Sequence, residues 1–138
     1  MTSDNERERE SIKVLQECID LQLKKSRDYQ NPLSTVKQAD HYPHGINTIF
    51  DMCHQKMTRV RSLLEAAEQS SDSPNFESIE DTFKDLVNYA SFAVSYLRQR
   101  MEGQVPGRNM FNRPVPVEAA KQVANAYFSP VTGNPTSK

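Results

Sequence analysis

The 138-residue chain has no tryptophan and few glycines, cysteines or histidines, and each scarcity removes a class of function. With 4 glycines, none grouped, there is no glycine-rich loop to wrap a phosphate and no GxSxG nucleophile elbow. The 2 cysteines, Cys18 and Cys53, lack CxxC spacing and any histidine cluster, which argues against a zinc site. They are expected to be buried free thiols of a reducing compartment. An excess of one charge is missing as well: 17 basic and 18 acidic residues leave a net −1. That balance provides no long-range field to draw in duplex nucleic acid or an anionic membrane. No stretch approaches the about 18 apolar residues of a membrane span, and the opening MTSDNERERE lacks the apolar stretch of a signal peptide, so a cytoplasmic protein is expected. Alternating apolar and polar runs, internal repeats and heptads are absent too.

What is present points to an all-α fold. The length allows one domain with a modest core. Apolar residues make up only 36%, and so lean a chain is expected to complete its core by pairing with another copy. A first helix is predicted from near Asp4 to Tyr29, with Ile12, Leu15, Ile19 and Leu23 on one face and Val14, Cys18 and Leu21 on another. After the polar loop QNPLSTVKQADHYPHG, a second helix is predicted from Ile46 to Gln69, its core stripe running Ile46, Ile49, Phe50, Cys53, Met57, Val60, Leu64. A third is expected from Phe76 to just before Gly103, with Ile79, Phe83, Leu86, Ala90, Val94 and Leu97 facing the core. A short helix over 117–127 is expected within a Pro/Gly-rich extension, 104–138, that follows a helical domain over 1–103.

Chemistry is concentrated in three places. On the third helix Glu77, Asp81, Asp85 and Asn88 recur at steps of four, four and three, and so share a face. A solvated face is the plain alternative. Against it, no lysine follows at the next turn of this face, and Tyr89, Phe92 and Tyr96 continue it as if it were covered. Aligned carboxylates under a cover suit a hard cation such as Mg²⁺. Lys56 and Arg59, one turn apart on the second helix, can hold a phosphate or simply face water. At the end of the first helix, Lys24, Lys25 and Arg27 meet Asp28-Tyr29, where a tyrosine can stack on a base; basic residues suited to a helix C-terminus are the alternative. His41 and His44, in HYPHG, are a weaker signal of the same kind.

KKSRDYQNP, HQKMTRVRSLL and ESIEDTFKDLVNYA, at the corresponding places of three successive helices, resemble the nucleotide modification associated domain of phage and bacterial proteins, itself similar to the MazG-like nucleoside triphosphate pyrophosphohydrolases. The resemblance spans about residues 10–100. It implies a helical bundle that forms homo-oligomers and binds a nucleotide between helices. It assigns Glu77, Glu80, Asp81 and Asp85 to Mg²⁺, with Asp81 and Asp85 catalytic. Lys25, Asp28, Tyr29, Lys56, Arg59, Asn88 and Tyr89 fall to the substrate. The hydrolytic relatives also carry an ExxE pair on the second helix, where this chain reads FDMCHQKMTR with Asp51 as its one acid.

Three readings follow. One is a Mg²⁺-dependent pyrophosphohydrolase acting on a (deoxy)nucleoside triphosphate or modified nucleotide. Another is a nucleotide-binding protein without turnover, favoured by the basic pair standing where two glutamates are expected. The third is an oligomeric helical scaffold.

Overall fold

A computed structural model describes residues 9–29, 33–69 and 76–116, the side chains of Asp28 and Tyr29 excepted. The described residues form three long helices, α1 (Glu10–Tyr29), α2 (Ile46–Gln69) and α3 (Phe76–Leu97), with a short 3₁₀ helix, Gln38–His41, before α2. There is no strand among them, only an isolated bridge between Arg108 and Pro114. The expected helix start near Asp4 and the expected helix over 117–127 lie outside the described residues. No described helix is long and apolar enough to cross a membrane.

Breakers place the helices. No proline or glycine lies between Gly45 and Pro74, or between Pro74 and Gly103, so α2 and α3 run uninterrupted. Gly45, at φ +60°, starts α2. A Cβ there would run into the Met110 carbonyl and come within 3.0 Å of the Tyr96 ring. α3 ends at a left-handed Gln99, φ +58°, with Arg100 N donating to Ser95 O at 3.1 Å. That is the hydrogen-bond pattern of a helix end usually closed by glycine.

The chain divides into two compact units. The first takes in α1 and the stretches 52–69 of α2 and 76–91 of α3. Its buried residues are Cys18, Val60, Thr82 and Asn88. The second comprises 36–51 and the chain from 92 onward, with Ala39, Tyr42, Ile49, Tyr96 and Met101 buried.

Burial corrects the predicted stripes. Of the two faces predicted on the first helix, Val14, Cys18 and Leu21 are sheltered, whereas Ile12, Leu15, Ile19 and Leu23 are 40–57% exposed; Phe50, Met57, Leu64, Phe83 and Val94, expected to face the core, are exposed as well. On α3 the sheltered face carries Thr82, Asp85, Tyr89, Phe92 and Tyr96 instead. Hydropathy marks where an apolar stripe lies on a helix but not which of two faces meets the rest of the same chain. The expectation that the acidic face is covered holds in part: Asp85 and Asn88 are sheltered with Tyr89, Phe92 and Tyr96, whereas Glu77 and Asp81 are exposed.

Candidate functional site

In the first unit, one carboxylate collects two lysines from two other helices. Lys25 Nζ of α1 lies 3.4 Å from Asp85 Oδ1, and Lys56 Nζ of α2 lies 3.2 Å from Asp85 Oδ2. The side chains are partly open, Lys25 at 48%, Lys56 at 32% and Asp85 at 21% exposed. Two ammonium groups against one carboxylate leave a local surplus of positive charge.

A polar network sits one helical turn away on both α1 and α3. Gln22 Nε2 donates to Asn88 Oδ1 and to Ser91 Oγ, each at 3.2 Å, and Ser91 Oγ–H donates to the Asn88 carbonyl at 2.7 Å. Asn88 is 8% exposed, and its amide N–H groups meet no acceptor among the described residues. Lys84 closes the other end with Glu17, Nζ to Oε1 2.7 Å. The Glu17 hydrogen bond and charge, helped by Glu80 and Asp81, hold the Lys84 ammonium above its ordinary pKa despite some desolvation.

The predicted site residues thus divide. Lys25, Lys56, Asp85 and Asn88 come together. Arg59 is exposed on α2 and makes no contact with Asp85. Glu77, Glu80 and Asp81 are exposed and form no ion pair with a described residue. Tyr89 is half-buried on α3, next to Asn88. Asp28 and Tyr29 are the last two residues of α1, their side chains outside the description. His41 is exposed, packs edge-on to buried Tyr42 with ring centroids 6.5 Å apart, and belongs to the second unit.

Gln22, Ser91 and the Glu17–Lys84 pair were missed by sequence reasoning. Asp85 does have cations to offset it, but they come from other helices, which periodicity along one helix does not reveal. Gln22 leaves a trace, a neutral amide three residues before Lys25, too common a feature to single out.

Among the described residues no three His, Cys, Asp or Glu side chains converge as metal ligands. Both Asp85 oxygens already face ammonium groups. The donor set present does not fit a divalent cation held by the protein alone. Burial pushes the Cys18 thiol up, Lys84 opposing, and burial does the same for Cys53, so neither is an activated nucleophile.

No curated protein and no solved structure matches the chain. A family profile does match, over residues 25–97, more than half of the sequence; its description, nucleotide modification associated domain 1, ties it to nucleotide modification. Because the matched segment opens at Lys25 and takes in Lys56, Asp85 and Asn88, the cluster of the first unit lies inside it, and the chain belongs to the nucleotide modification associated domain 1 family.

Proposed function

We propose that the chain binds a nucleotide through its phosphates in the first unit, with Lys25 and Lys56 as the phosphate clamp. The observation that carries this reading is the meeting of two lysines from α1 and α2 on Asp85 of α3. A phosphate monoester carries roughly −1.5 to −2 charge and three acceptor oxygens, so it satisfies both ammonium groups better than a single carboxylate does. Asp85 keeps the two cations together before the ligand arrives, which reduces the ordering that binding requires. Gln22, held by Asn88 and Ser91, presents an amide one turn away for the sugar or base, and a tyrosine, Tyr89 or Tyr29, would supply the stacking ring.

In this reading Mg²⁺ is not a resident of the protein but an ion that the phosphates bring, since magnesium commonly binds through substrate phosphates and one or two carboxylates. A second reading, turnover of the kind found in MazG-like pyrophosphohydrolases, is favoured by one feature: the exposed Glu77, Glu80 and Asp81 make no ion pair with a described residue. The apolar faces of Ile12, Leu15, Ile19 and Leu23, open in the single chain, further support pairing with a second copy, because a helical seam of this spacing is self-complementary.

The test is to incubate the protein with nucleoside triphosphates and cyclic nucleotides plus Mg²⁺, then chromatograph bound and free nucleotide. A nucleotide retained and recovered intact, with affinity reduced at least about tenfold in Lys25→Met and Lys56→Met, supports binding. New monophosphate and pyrophosphate, lost in Asp85→Asn, would establish turnover. Retention undiminished in both lysine variants overturns the clamp.

A further inference from the structure

The second unit holds a pair of adjoining cavities of about 140 and 260 Å³ that share Tyr96, Gln104, Val105 and Asn112 in their walls. Both are smaller than the roughly 300 Å³ at which pockets for drug-sized ligands begin, so they suit a small polar group rather than a large ring system. Most polar groups around them are already engaged. Gln104 accepts from Met101 N at 2.8 Å and donates to Tyr96 O at 3.1 Å. Asn109 Oδ1 accepts from Phe111 N and Arg113 N, and Asn112 Nδ2 donates to Pro43 O.

Besides the Gln99 and Asn109 side-chain amides, two donors of the smaller cavity lack a full set of partners among the described residues, one of them buried and the other charged. Tyr96 is 4% exposed, and its hydroxyl makes no hydrogen bond to any described residue. Arg108 has one guanidinium hydrogen bond, Nη1 to Asn112 O at 3.0 Å, and no carboxylate partner among the described residues. The two groups are close enough to sense one another: burial pushes the Tyr96 phenol up, and the Arg108 charge opposes it. No acid lines the smaller cavity. Asp40 borders only the larger one, where its carboxylate accepts from Lys37 N at 2.8 Å. A buried hydroxyl without a partner is costly, and an uncompensated guanidinium beside it selects for an acceptor with negative charge.

We propose that the smaller cavity binds the oxyanion of a small molecule, a carboxylate or a phosphate, between the Arg108 guanidinium and the Tyr96 hydroxyl. This site lies wholly in the second unit and does not depend on the lysine clamp.

The experiment is a nuclear magnetic resonance titration of the full chain with inorganic phosphate and, separately, with acetate, at constant ionic strength. The Arg108 Nε–H and Tyr96 ring signals are followed, so that any binding at the lysines is reported elsewhere. A saturable shift with phosphate alone assigns a phosphate ester, and one with acetate alone a carboxylate. In either case Arg108→Gln and Tyr96→Phe should weaken the apparent affinity at least about tenfold. Neither anion saturating, or a response unchanged in both variants, overturns the proposal. Tyr96→Phe also provides a folding control. Because the hydroxyl it deletes has no partner among the described residues, the unligated variant should melt no lower than the parent, and a clearly lower melting temperature would mean that the hydroxyl is bonded within the protein, which also overturns it.

Discussion

The two units keep their shape by different means. In the first, long helices are tied by side chains: Lys25 and Lys56 to Asp85, Gln22 to Asn88 and Ser91, Lys84 to Glu17. In the second, backbone does most of the tying. Ala39 N donates to Glu102 O, Ile46 N to Met110 O, Asn109 N to Arg113 O and Val115 N to Gly107 O, all at 2.8–2.9 Å. Around these bonds Ile49, Tyr42, Tyr96 and Met101 are buried, whereas the helices of the first unit leave leucines and isoleucines in the open. The comparison shows that regular helix and tight core need not coincide. The described part of the proline- and glycine-rich stretch has no buried residue of its own, yet its Met110 carbonyl accepts from Ile46 N and so ties down the start of α2.

The largest effects are therefore expected in the second unit. Ile49→Ala, at a side chain with 0% exposure, should cost about 2–5 kcal/mol in denaturant unfolding, from lost transfer energy and the cavity left behind. Gly45→Ala should cost about 2 kcal/mol or more, because φ +60° is left-handed and the new Cβ meets the Met110 carbonyl. In the first unit Asp85→Asn should cost about 1 kcal/mol or less, since both ion pairs are partly solvated, and added salt should shrink the difference. Leu15→Ala, at a side chain 48% exposed, should stay within about 0.5 kcal/mol at concentrations where the chain is a monomer. A loss there that matches Ile49→Ala and grows with protein concentration would mean that a second copy covers α1.

Alkaline pH should weaken both units. The folded pKa values of Cys18 and Cys53 lie above 9.0, that of Tyr96 above 10.0 and that of Lys84 above 10.5. In each case the folded chain retains a proton that the unfolded chain has already released. Their stabilising contribution is complete below the unfolded value and falls as pH rises through the folded one. Unfolding midpoints should thus decline from about pH 9 upward. Cys18→Ala with Cys53→Ala should delay the onset, leaving Tyr96 and Lys84 to act at higher pH.

What the sequence by itself determined was local. The bounds of α2 and the start of α3 are legible because glycine and proline act where they stand, and the acidic face of α3 is legible because its spacing lies within one helix. Lys25, Lys56, Asp85 and Asn88 could be singled out one by one. Tertiary structure alone decided that Lys25 and Lys56 share Asp85, that Gln22 serves Asn88, and that Thr82 and Tyr96 are buried while Phe83 and Val94 are exposed. It alone formed the Tyr96–Arg108 cavity, whose walls come from the end of α3 and the turns after it. The physical reason is range. Helix formation is written in neighbours three or four residues apart, whereas charge pairing and burial join residues such as Lys25 and Asp85, 60 positions apart, that only the packed chain brings together.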